Sequence, residues 1–145
     1  MARIVLTDVE VTFQGVGAPV DLSDHIASVT LQSTYDVLET TAFAGGNVPA
    51  AAKTRTAGLV DNSVTLEFHQ DFAASSVEAT IYPALGTVAA ITVKPTQGAI
   101  SATNPEYQFN CVVSDWTPLN GAVGELATAS ITWPITGPIV KDVTA

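Results

Sequence analysis

Apolar side chains recur at every second position in run after run, and that period constrains this chain more than any other feature. Alternation of this kind places one set of side chains on each face of an extended backbone, the signature of a half-buried β-strand. Val9, Val11 and Phe13 alternate with Asp8, Glu10 and Thr12 until Gly15 and Gly17 interrupt. Val29 and Leu31 oppose Ser28, Thr30 and Gln32 within a run from Ile26 to Leu38. Val64, Leu66 and Phe68 oppose Ser63, Thr65, Glu67 and His69. Tyr107, Phe109, Cys111 and Val113 share one face, as do Ala127, Ala129, Ile131 and Trp133. Val88 to Val93 is nearly all apolar, which predicts a strand covered on both sides. The runs predict a mainly β chain, a β-sandwich or partial barrel of six to eight strands.

Three stretches break the period. Asp21-Leu22-Ser23-Asp24 reads as a turn held by Asx-type bonds. Ser75-Ser76-Val77-Glu78 fits a capping box, with Ser75 as cap and Glu78 reaching back. Val77, Ile81 and Leu85 then follow at helical spacing, with Pro83 and Gly86 placed to end the element. A short helix over 75–84, laid across a sheet face, is expected. Thr40 to Gly58 holds Ala, Gly, Asn and Pro and almost no large apolar anchor, so it reads as a long inter-strand loop over 40–58. Beyond Trp133, the Pro134-Ile135-Thr136-Gly137-Pro138 stretch reads as an extended arm over 134–145. Residues 1–145 are expected to form a single domain.

Composition excludes several functions. With 14 acidic and 5 basic residues among 145, the formal charge is −9, the reverse of a basic nucleic-acid binder. A lone cysteine, Cys111, excludes a disulfide framework and reads as a small buried hydrophobe. No apolar run has the length of a membrane span, and the first residues lack the pattern of a signal peptide, so synthesis in a reducing cytoplasm is expected. Only 13% of residues are charged, while Ser, Thr and Ala abound, a surface that suits self-assembly better than a free monomer.

Catalytic chemistry is hard to assemble from what remains. His25 and His69 are the only imidazoles. His69-Gln70-Asp71 has the look of a metal pair with His25 as a distant third ligand, but any strand entering a turn produces that spacing, and His69 reads as structural. Asp21 and Asp24 beside His25 lack calcium-loop spacing and read as part of the turn. Trp116 and Trp133 read as core or interface anchors. No catalytic residue, metal site or cofactor is expected, and the chain is read as a non-enzyme.

The order of several segments resembles the major tail tube protein of long, non-contractile-tailed bacteriophages, the siphophages. The resemblance is carried by residues 20–30 (VDLSDHIASVT), 63–68 (SVTLEF), 70–73 (QDFA), 81–83 (IYP), 91–95 (ITVKP), 101–105 (SATNP), 121–128 (GAVGELAT) and 131–134 (ITWP), and spans roughly 20–137. It implies a β-sandwich or partial barrel with a flanking helix. Six copies would form a ring, and rings would stack into a hollow tail tube that conducts the genome into the host cell. The implied partners are further copies of the chain, the tape measure, tail terminator and distal tail proteins, and double-stranded DNA passing without specific binding. The implied location is the virion tail, assembled in the host cytoplasm, with no membrane contact. A related virion protein, such as a tail terminator or head-decoration protein, is the alternative, as is a non-viral β-sandwich binding module.

Within that reading Lys53 and Arg55, two of the five basic residues, make the 40–58 loop a candidate contact between rings. A hexamer carries six times −9, a formal −54, and an acidic wall repels phosphate where a basic one would hold it. Glu67 lies on the polar side of an alternating run and is the first lumen-facing candidate, with Asp36 and Glu39 as further ones.

Overall fold

A computed structural model describes residues 3–42 and 52–144. The alternating runs become strands β1 (Glu10–Gln14), β3 (Ile26–Glu39), β4 (Arg55–His69), β5 (Val88–Lys94), β6 (Glu106–Val112) and β7 (Thr128–Asp142), with a two-residue β2 (Val20–Asp21). All pair antiparallel in the order β2-β1-β5-β6-β7-β4-β3. The fold is mainly β, as the period requires.

The sheet curls onto itself. Phe13 on β1 and Trp133 on β7 stand three strands apart in the order, roughly 14 Å in a flat sheet. Their ring centroids are 6.0 Å apart. The inward residues of both halves, among them Val64, Leu66, Phe68, Ile91, Phe109, Cys111, Ile131 and Trp133, join one core. Phe68 meets Trp116 edge-on at 5.4 Å. Each indole N–H has an acceptor: Trp133 donates to the Asp115 carbonyl at 2.9 Å and Trp116 to Glu78 Oε2 at 2.7 Å. Both tryptophans are thus core residues with satisfied donors.

The curl is made by β7. Its first half pairs with β4 (Ser63 opposite Pro134 through His69 opposite Thr128), and its second half with β6 (Cys111 opposite Ile135 through Glu106 opposite Asp142). The expected arm over 134–145 is therefore strand as far as Asp142. Pro134 stands where the partner changes, and a register shift between Gln108 and Asn110 falls opposite Gly137, whose φ of +87° suits glycine. Buried Asn62 donates to the Gly137 carbonyl at 3.2 Å, so the kinked backbone keeps a partner.

Three further expectations change. β5 is covered on one side only: Ala89, Ile91 and Val93 are buried while Val88 is exposed, because no second layer lies over its outer face. The helix is shorter than 75–84, with α1 at Val77–Ile81 followed by a 3-10 turn over Tyr82–Ala84. Ser76, not Ser75, is the N-cap; Ser75 has φ +60°, and Glu78 is drawn away by Trp116 and Gln70, so no capping box forms. Val77, Ile81 and Ala84 enter the core and close one of its ends, while Leu85 points out past the last turn. Asp21 and Ser23 form the expected turn, with the Ser23 N–H donating to Asp21 Oδ1 at 2.9 Å. Among the described residues, no helix is long and apolar enough to cross a membrane.

Candidate assembly surface

Strands β3 and β4 are about twice as long as the core needs, and the excess is exposed. Ser63 to His69 of β4 lie between β3 and β7, but Arg55 to Asn62 pair with β3 alone. The result is a two-stranded arm, roughly Ser33–Glu39 against Arg55–Asn62, which projects from the sheet. Its pairing reaches past the strand ends, with the Thr40 N–H on the Thr54 carbonyl at 2.8 Å and the Thr54 N–H on Thr41 Oγ1 at 2.9 Å. The expected loop over 40–58 is thus shorter, since Arg55–Gly58 belong to β4; residues 43–51 lie outside the described residues. Thr54 and Thr56 on either side of Arg55 carried a weak strand signal there, which Ala57 and Gly58 obscured.

The arm keeps the two-faced pattern of a buried ribbon without a core to meet it. Tyr35, Val37, Leu38, Leu59 and Val60 are exposed, Tyr35 by 58% and Leu59 by 82%. An isolated two-stranded ribbon is marginal in water. β3 is also the last strand of the sheet, so along its 14 residues the outward backbone groups lack a strand partner. Among the described residues, none covers the arm's apolar side chains or pairs with the open edge of β3. At the arm's root the gap between the sheet halves is a cleft of about 490 Å³ lined by Leu6, Val9, Val29, Leu31, Tyr107 and Ile139.

The charged candidates fall into two places. Glu39 stands opposite Arg55 near the arm's tip, with Lys53 Nζ 3.8 Å from its Oε1. These exposed groups are separated by water-like screening, and the pair adds little to stability. Glu67 lies instead on the outer face of β7-β4-β3, in a row with Ser28 and Ser130. The next rows are Thr30, Thr65 and Thr132, then Gln32, Ser63 and Pro134, then Thr34 and Asp61. Asp36 follows at the next even position of β3 on the arm. Thr65 and Thr132 share a hydrogen bond at 3.0 Å. This face is hydroxyl-rich and acidic, and residues 26–36, 59–69 and 128–134 hold no Lys or Arg.

The imidazoles do not build a catalytic centre. His25 Nε2 lies 3.2 Å from Ser76 Oγ, 3.4 Å from Asp71 Oδ2 and 3.7 Å from Asp24 Oδ1. The Ser76 hydroxyl donates to Asp71 Oδ2 at 2.8 Å. Serine and aspartate meet the same nitrogen, so the carboxylate does not orient the ring from the opposite side as a triad requires. The cluster is a polar clamp joining the root of β3 to α1. The Ala73 N–H, then the Ser76 hydroxyl and His25, hold the Asp71 carboxyl below its ordinary range. His69 stays apart on β4, its Nδ1 buried without a partner among the described residues. Among the described residues no three metal-ligating side chains converge. Cys111 is enclosed in the core, and burial pushes its thiol up to about 12.

No family model matches the chain, and no curated protein matches it. Solved structures do match in fold. A chain of the anti-feeding prophage baseplate, a six-fold symmetrised cryo-EM structure, aligns with a TM-score of 0.62 at 14% identity, covering 100% of this chain and 99% of that one. The SPP1 tail tube, a hybrid solid-state NMR and cryo-EM structure, gives 0.69 at 13% identity over 94% of this chain and 77% of that one. The tail of an empty GTA particle, refined with C6 symmetry, gives 0.57 at 14% identity over 95% and 96%. The tail tube resemblance carried by the order of sequence segments is therefore matched in three dimensions: this chain has the fold of tail tube and baseplate proteins.

Proposed function

We propose that this chain is a structural, non-enzymatic subunit of a phage tail that self-assembles into hexameric rings, stacked as the hollow tube through which the genome passes. The observation that carries the reading is the projecting arm with its five exposed apolar residues and open β3 edge, a surface left incomplete in one copy. Six-fold symmetry in the baseplate and GTA tail structures of the same fold supports a hexamer. Lys53 and Arg55 on the arm make the contact between rings.

The outer face of β7-β4-β3 lines the lumen in this reading. Glu67, Asp61 and Asp36 give it negative charge, and its hydroxyls offer no cation to phosphate, so duplex DNA slides without counterion-releasing contacts. Glu39, beside Lys53 at the arm's tip, faces the lumen only where the arm itself does. The other partners are the tape measure, tail terminator and distal tail proteins. The site of action is the virion tail after assembly in the host cytoplasm, with no cofactor and no membrane.

Negative-stain microscopy of the concentrated protein tests this, with long hollow tubes of six-fold cross-section as the expected result. A monomer at every concentration refutes it. The near-complete mutual coverage with the baseplate chain favours one second reading, a tail protein that builds a single ring, of which a terminator is one kind. Isolated rings that never stack would select it. In particles, Glu67→Lys should slow genome ejection, and unchanged ejection removes Glu67 from the lumen wall.

A further inference from the structure

We infer that the arm of one copy docks head-to-tail on the opposite end of another copy, on a platform built from residues 70–73 and 118–126. The inference rests on the self-assembly proposed above and names the receiving surface.

Two loops meet where β4 ends and β7 begins. The Gln70 N–H donates to the Ala127 carbonyl at 2.9 Å, Gln70 Nε2 to the Pro118 carbonyl at 2.8 Å, and Asn120 Nδ2 to the Thr128 carbonyl at 3.1 Å. These bonds hold the loops side by side. Phe72, Leu119, Val123 and Leu126 nevertheless stand in solvent, Val123 completely. Val123 is at the apex of a turn closed by the Glu125 N–H on the Ala122 carbonyl at 3.0 Å, and Gly124 supplies the positive φ of +84° that the turn needs. A hydrogen-bonded turn that presents a valine outward has no use for it within its own chain.

Position and charge identify the occupant. The arm's tip and this platform lie at opposite ends of β4, whose 15 residues span roughly 50 Å at ~3.4 Å each. A contact between opposite ends of identical molecules is heterologous and, without closure, propagates as a fibre. The apolar arm residues match an apolar platform. The segments 70–76 and 113–127 hold Asp71, Asp115 and Glu125 and no Lys or Arg, whereas the arm's tip offers Lys53 and Arg55 against Glu39 alone. A second copy of this chain therefore supplies both exposed apolar side chains and the positive charge that the platform lacks.

The test uses the full chain carrying Leu119→Asp with Val123→Asp, two exposed positions whose change should leave thermal unfolding as in wild type. Rings that still form while the concentration needed for tubes rises tenfold or more support the inference. Tubes at the wild-type concentration overturn it and leave the tail tube reading standing. Loss of the rings themselves, with unfolding unchanged, places the platform inside the ring and also overturns it. A wild-type chain that never assembles refutes both readings together. Should the double variant fail to fold, Arg55→Glu combined with Glu125→Arg replaces it: Arg55→Glu alone should weaken stacking and the pair restore it, and no restoration counts against the docking.

Discussion

Leu59→Ser separates the arm's role in assembly from its role in the fold. Leu59 is 82% exposed, so the folded monomer gains little from it and its loss should change unfolding by no more than about 0.5 kcal/mol. Burial of a whole leucine side chain is worth roughly 1.5–3 kcal/mol, so covering the exposed four-fifths in a neighbour is worth about 1.2–2.4 kcal/mol. In the proposed tube every subunit would make that contact once. At tenfold per ~1.4 kcal/mol, the critical concentration for assembly should rise roughly sevenfold to fiftyfold. Sedimentation reads it directly as the plateau of protein left in the supernatant while total concentration increases. Leu66→Ala is the contrasting variant: Leu66 is buried in the core, and its truncation should cost about 2–5 kcal/mol of folding stability. An unchanged plateau for Leu59→Ser, or a loss of stability equal to that of Leu66→Ala, refutes the claim that the arm is completed only between copies.

Trp116→Phe removes the 2.7 Å bond to Glu78 and leaves that carboxylate with Gln70 alone, at an expected cost of roughly 2–4 kcal/mol in urea unfolding. A change below about 0.5 kcal/mol would mean that the indole N–H is not what holds Glu78. The Cys111 thiol, pushed up to about 12 by burial, should resist thiol reagents at neutral pH until the chain unfolds. Labelling of the folded protein as fast as of a peptide would contradict its enclosure. Asp71 is held below its ordinary value of 3.8, so the folded state takes up its proton less readily than the unfolded chain. Its contribution is present above that value and is lost as pH falls through the lower folded one. Asp71→Asn should therefore flatten part of the acid loss of stability as pH falls below 3.8, and an unaltered acid limb would show that the clamp with Ser76 and His25 is not felt.

The strands were legible in the sequence because a two-residue period is a local property: Val64-Thr65-Leu66-Glu67-Phe68 declares its two faces without reference to any partner. So was the polar placement of Glu67, and so was the burial of Trp133 and Cys111, which fall in register with neighbouring apolar positions. Partner choice was not legible. Pro134, Gly137 and Pro138 look locally like the end of a strand, yet β7 passes through them by changing neighbours and letting Asn62 satisfy the bent backbone, a solution that exists only once β4 and β6 flank it. The meeting of His25 with Asp71 and Ser76 depends on the same closure, since about fifty residues separate them. The arm shows the division most clearly. Alternation extends β3 and β4 beyond the core, but only the sheet order reveals that, among the described residues, no strand waits on either side of the extension. Faces are set by neighbours in sequence; edges are set by the count of strands that closure brings alongside, and it is the edges that bear on assembly.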